Sequence, residues 1–126
     1  MTATITTSST TVEKTVDHLR KQLEAKGVQL FAVVDHAAGA RSVGLELPDE
    51  VLLIFGNPAV GTGLMQDDPV SGLDLPLRML VWDDDGTTRV AYHPPAELAD
   101  DYDIQEHRDV LAKLSALLGS LSQNDE

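Results

Sequence analysis

The chain has 126 residues, a formal net charge of −12 and no cysteine. A length of this order makes one domain that buries about two-thirds of its unfolded surface without a disulfide or structural metal, and the missing thiol excludes cysteine nucleophiles, Cys-ligated zinc and iron–sulfur clusters. Nine dispersed basic residues against 21 acidic ones give no phosphate-tracking surface, so neither nucleic acid nor an anionic membrane is an expected partner.

The acidity reads first as solubility. No apolar run approaches the roughly 18 residues of a membrane span. Met1-Thr2-Ala3-Thr4-Ile5 lacks the basic start and apolar core of a signal peptide, so a cytoplasmic protein is expected.

Residues 2–8 are Thr/Ser-rich and suit a short edge strand. Thr10 and Glu13 frame a capping box, with Thr10 as N-cap. Val12, Val16, Leu19 and Leu23 then recur at helical steps, and Lys26-Gly27 closes the helix, predicted over 11–26. A strand follows over 29–35, with Leu30, Ala32 and Val34 on one face and Phe31 and Val33 on the other. Asp35 caps a short helix through Arg41. Val51–Phe55 is the most apolar strand, again apolar on both faces. Asn57-Pro58 starts an irregular helix, with Asn as N-cap and Pro at the first helical position; Gly61 and Gly63 weaken it. Strands over 77–83 and 88–93 flank an Asp85-Gly86 turn. A two-residue loop there pairs Trp82 with Arg89 and Arg78 with His93. Met79, Val81, Val90 and Tyr92 form the opposite, more apolar face. Ala96–Ala99 suits one helical turn. Asp103 and Glu106 frame a second capping box before a helix over 104–121. With no internal repeat, 1–126 reads as a single domain, ordered over 9–121 with a frayed tail over 122–126.

The segments Phe31-Ala32-Val33-Val34-Asp35-His36, Leu53-Ile54-Phe55-Gly56-Asn57-Pro58 and Leu73-Asp74-Leu75-Pro76, in this order before an Asp-Gly hairpin and a last helix, resemble the family known as domain of unknown function 302. The resemblance implies a two-layer α+β fold. A curved five-stranded antiparallel sheet, in the order β-α-β4-α, would carry the long helices on one face, with the first strand beside the fifth. It also implies a homodimer and no established activity. Many relatives have Leu-Pro-Cys where this chain has Leu75-Pro76-Leu77, so no thiol role carries over.

Asn57 lies where a strand feeds a helix N-terminus, a place that holds anions; the same position makes it an ordinary cap. Asp35 and His36 at a strand end could act as an acid–base pair or as a cap and a surface ring. Arg78, Trp82, Arg89 and His93 give one sheet face a polar-aromatic character that suits an anionic or aromatic ligand, or simply a dimer surface. The four histidines have no metal-ligand spacing, and Ser71 and Ser120 lack a nucleophile elbow. No metal, cofactor or catalytic residue is assigned. Only two long helices are available for a sheet apolar on both faces, so the second face needs the 57–75 segment, a second subunit, or both. The function expected is a homodimeric binding module for a small or anionic molecule, with its groove beside the face bearing Leu80 and Trp82. A structural or protein-interaction domain is the alternative, and an acid–base enzyme built on His36 or His93 is the third reading.

Overall fold

The computed structural model describes residues 2–123. Five strands, β1 (Thr4–Thr7), β2 (Gln29–Asp35), β3 (Glu50–Gly56), β4 (Leu77–Asp84) and β5 (Thr87–Tyr92), form one sheet. Its order is β1-β5-β4-β3-β2, with every neighbouring pair antiparallel. The helices are α1 (Val12–Ala25), α2 (His36–Ser42), α3 (Pro58–Asp67), α4 (Leu98–Asp101) and α5 (Arg108–Gln123), with 3-10 turns at Pro69–Asp74 and Pro95–Glu97. The last four strands are a meander and β1 closes beside β5, the α+β arrangement that the resemblance implied.

Period-two alternation sorts the sheet into two faces. Leu53 and Phe55 of β3, Leu77, Met79 and Val81 of β4 and Val90 of β5 are buried together with the stripes Val12-Val16-Leu19-Leu23 of α1 and Leu111-Leu114-Leu118-Leu121 of α5. Leu64 of α3 joins the same core, so the 57–75 segment packs on the helix-bearing face. The opposite face carries an unbroken apolar row across all five strands, with Val34 beside Leu52, Leu52 beside Leu80, Leu80 beside Ala91 and Ala91 beside Ile5. Ile54 belongs to this second face, opposite Arg78, and is half-buried rather than core.

The hairpin turns as expected. Asp85 and Gly86 have φ of 51° and 93°, the two left-handed residues of a tight turn whose twist matches the strands. Asp83 Oδ1 accepts the Gly86 N–H at 2.8 Å, and Trp82 pairs with Arg89.

Four local expectations are corrected. The N-cap of α1 is Thr11, whose side chain accepts the Lys14 N–H at 3.2 Å; Ser8 instead meets Thr15, hydroxyl to hydroxyl, at 2.7 Å. In β2 a bulge between Leu30 and Ala32 takes Phe31 out of the ladder. Leu30 and Val33 therefore share the helix-bearing face, while Ala32 and Val34 turn to the other. The last helix starts at Arg108, not at residue 104. Residues 105–107 are drawn instead to a distant carboxylate: Asp67 Oδ2 accepts the N–H groups of Gln105, Glu106 and His107 at 3.1, 3.0 and 2.9 Å. Finally, Ser122 is buried within α5 and its hydroxyl donates to Gly119 O at 3.1 Å, so the expected tail does not begin there; residues 124–126 lie outside the described residues.

A second long-range tie holds the 69–74 turn to the end of α4. The Tyr102 hydroxyl donates to Asp74 Oδ2 at 2.5 Å. That bond first, then burial and the Asp74 charge, push the phenol up from 10.0 to about 12.

Two measurements test this packing. Leu53, fully buried at the centre of the sheet, loses roughly 2–5 kcal/mol when truncated to Ala, read as a lower denaturant midpoint; an unchanged midpoint would place β3 elsewhere. In a Tyr92→Phe background, spectrophotometric titration places the Tyr102 phenol near 12, and Asp74→Asn moves it back toward 10. Since the folded value is the raised one, the stability from this bond is complete below the unfolded value of 10.0 and lost as pH rises through about 12.

Candidate functional site

A pocket forms where β3 runs out. Gly56 ends the strand, and Asn57 caps α3 by accepting the Ala59 N–H on Oδ1 at 3.0 Å. A Cβ at Gly56 would stand 3.6 Å from Pro76 Cβ and 3.7 Å from Phe31 Cε2, so the proline and the Phe31 ring flank the strand end at ordinary van der Waals distance. Leu75-Pro76 is a cis peptide that leads into β4. Between these walls lies a cavity of about 270 Å³. Val60, Gly61, Thr62 and Met65 of α3, Leu75 and Leu77 on either side of the proline, and Leu114 of α5 line it. The bulge that takes Phe31 out of the ladder is what puts its ring at the lip; it is 44 % exposed.

Among the described residues, no acidic or basic one lines this cavity. Its polar groups are the Asn57 carboxamide and the Thr62 hydroxyl. Thr62 Oγ1 donates to Pro58 O at 2.6 Å, which leaves its lone pairs as acceptors, and the Asn57 amide N–H₂ remains as a donor. A cavity of this make-up desolvates an ion with nothing to compensate it. It suits an uncharged molecule with apolar bulk, and Phe31 and Met65 offer an aromatic face and a polarisable sulfur.

Behind α3 lies a second arrangement. The Asp67 side chain is only 5 % exposed, and its Oδ1 pairs with His107 Nδ1 at 2.9 Å. Burial pushes the Asp67 carboxyl up, but the His107 ring and backbone donors and the Glu106 N–H pull the other way and leave it below 3.8. The carboxylate thus stays charged near neutrality, bound by three backbone donors and one ring.

The residues read from the sequence do not converge on one place. Asn57 lines the cavity. Asp35 caps α2, accepting the Ala38 N–H at 2.9 Å, and His36 is exposed beside it. Arg78 and His93 border a separate cleft of about 30 Å³ that also holds Asp74; Arg78 reaches Asp74 at 3.8 Å. Trp82 and Arg89 sit side by side on the open sheet face, where Arg89 donates to Asp84 at 3.1 Å and to Thr7 at 2.7 Å. The arginine nearest the tryptophan is therefore already engaged. Among the described residues, no group of three or more His, Asp or Glu could hold a metal ion.

Sequence reasoning missed Phe31, Thr62, Met65 and Leu114 as pocket walls and the Asp67–His107 pair. Asn57-Pro58 followed by a glycine-broken helix was a signal for the first group. Nothing local signals the second, because its partners are 40 residues apart.

No helix among the described residues is long and apolar enough to cross a membrane. The chain is 42% identical over 103 residues to Fluoride-specific ion channel FluC 1 of Brucella suis biovar 1, a match that covers 81% of this chain and 41% of that protein. The same identity over 103 residues relates it to Fluoride-specific ion channel FluC 2 of Brucella melitensis biotype 1, covering 38% of that protein. The chain thus spans about two-fifths of the length of these relatives. A crystal structure of the uncharacterized conserved protein DUF302 from Bacillus stearothermophilus superposes with a TM-score of 0.88 at 19% identity, over 100% of this chain and 99% of that one, and so shares the fold. The family model for Domain of unknown function DUF302 matches residues 4–121, and the chain belongs to that family.

Proposed function

We propose that this protein is a cytoplasmic, homodimeric binding domain that takes an uncharged, largely apolar small molecule in the cavity between β3, α3 and the Leu75-Pro76 turn. The observation that carries the reading is the cavity itself. At about 270 Å³ it lies just below the roughly 300 Å³ at which ligand pockets begin. Its walls are apolar apart from one donor, the Asn57 amide, and one acceptor, the Thr62 hydroxyl. The anionic ligand expected from Asn57 and Arg78 is set aside, because the cavity has no cation and the arginines lie elsewhere.

The dimer reading rests on the open face. The row Val34-Leu52-Leu80-Ala91-Ile5 crosses the whole sheet, and Ile5 is 57 % exposed. Arg78 and Arg89 flank the row and are rare positive charges in an acidic chain. A second copy related by a twofold axis would cover the row, with each sheet packed on its mate. The pocket opens on the other side of the sheet and stays accessible.

The Brucella relatives favour a second, coarser reading, in which the domain serves beside a fluoride channel. On that reading it contributes ligand response rather than ion handling, since a cavity without a positive group does not hold a bare halide.

Titration with the uncharged fluorophore N-phenylnaphthylamine tests the pocket. Saturable binding is expected, weakened at least about tenfold by Gly61→Leu, which fills the cavity. Absence of binding to the folded wild type defeats the ligand reading. Sedimentation at micromolar concentration gives a dimer mass for the wild type and a monomer mass for Leu80→Asp; a monomeric wild type defeats the dimer. Fluorine NMR of sodium fluoride should show no broadening on adding the protein, and broadening would mean that the domain itself takes the ion.

A further inference from the structure

The wall of the cavity made by α3 is weak on its own terms. Two glycines in ten residues give the helix little intrinsic stability. Its N-terminal end is held by the Asn57 cap. Its C-terminal end is held by Asp67, whose carboxylate collects the N–H groups of residues 105–107 and the His107 ring. Between these ends, Gly63 lies directly against that ring: a Cβ there would stand 2.9 Å from His107 Cδ2 and 3.1 Å from Nε2. Real side chains do not tolerate such an approach. The chain then runs into α5, whose Leu114 also lines the cavity. Besides Leu64, which is buried in the core with the α5 leucines, α3 meets the approach to α5 at one contact with three members, Gly63, Asp67 and His107.

We propose that these three residues form a positioning clasp, which sets the distance of α3 from α5 and with it the affinity of the cavity for its ligand. The inference rests on the reading of the cavity as a ligand site. Asp67, His107 and Gly63 do not line that cavity; Gly63 and His107 border a neighbouring cleft whose lining shares Val60 and Thr62 with it, and the three act through those residues of α3. The carboxylate is the anchor, because one oxygen serves three backbone donors and the other orients the ring. The glycine is the bearing surface, because its missing side chain lets the ring lie on the helix backbone.

Two readouts test the clasp on the intact chain. Titration with N-phenylnaphthylamine reads affinity, and amide hydrogen exchange reads the order of α3 relative to α1 without any ligand. Gly63→Ala is expected to weaken the probe at least about tenfold and to speed exchange across α3 while leaving α1 protected. On a His107→Ala background, where the ring is gone, the same substitution should change either readout by less than about twofold, so the pair is strongly coupled. Asp67→Ala should release α3 in the same way. Gly39→Ala, on exposed α2 with nothing near its Cβ, should change neither readout. If the wild type binds the probe and folded Gly63→Ala binds it equally well, the clasp is wrong and the pocket stands. If the wild type binds nothing yet α3 exchange follows the expected pattern, the ligand reading is wrong and the clasp remains only as the device that positions α3. Equal effects of Gly63→Ala with and without the His107 ring overturn the clasp in either case.

Discussion

The pairing of β3 with β4 is the constraint from which the rest of this fold follows. With Leu53 opposite Met79, Val51 opposite Val81 and Phe55 opposite Leu77, the two central strands present one dense apolar surface. Each such side chain gains on the order of 1.5–3 kcal/mol when fully buried, so this surface demands cover. The stripes of α1 and α5 supply most of it, and Leu64 of α3 fills what they leave. A slip of one residue would send Leu53 and Met79 to the other side and leave both helices without a counterpart. The tight Asp85-Gly86 turn protects against that slip on the β5 side, because its two positive φ values admit one register.

The cavity exists because the three covering helices are unequal. α1 has a side-chain cap and a continuous stripe, and α5 has four buried leucines. α3 has Leu64 and two glycines, too little bulk to fill the corner between the end of β3 and the start of β4. Gly56 and Pro76 bring backbone close at one edge of that corner, and Phe31 roofs it without plugging it. A better packed α3 would have produced a core. Its ends are fastened instead by side chains, Asn57 at one and Asp67 at the other, which is how a poor helix is held in place without being packed tight.

What could be read in the sequence was what depends on near neighbours. The alternation of Val51–Phe55, the i, i+4 stripe of α1, the Asp-Gly turn and the Asn57 cap are all set within a few residues, and they appear in the structure as read. The failures share one cause. The Phe31 bulge depends on how β2 meets β3, so alternation along 29–35 placed Ala32 on the wrong face. Asp103 and Glu106 have the spacing of a capping box, yet the Asp103 N–H goes to Asp68 and the carboxylate that meets the Glu106 N–H comes from Asp67. Its nearly buried position, supported by the His107 ring, makes it the better acceptor. The candidate site was legible only at Asn57. Arg78, Trp82 and Arg89 share the face away from the cavity, as the turn register required, but β5 ends at Tyr92 and His93 lies beyond the ladder, beside a cleft that Leu77, Leu98 and Leu118 also line.

This separation sets how the two faces of the molecule can act. The cavity lies on the helix-bearing side and the apolar row on the other, with a sheet one residue thick between them. β2, β3 and β4 each contribute to both: Val34, Leu52 and Leu80 stand in the apolar row, and Phe31, Gly56 and Leu77 line the cavity. Of these three, β2 is the edge strand, paired on one side only and interrupted by a bulge, so it is less constrained than β3 and β4. The inner strands hold their side chains by ladders on both edges and cannot shift without breaking register. Of the strands that reach both the cavity and the open face, β2 at Phe31–Val34 has one free edge and an extra residue, and so the most freedom for a small rotation.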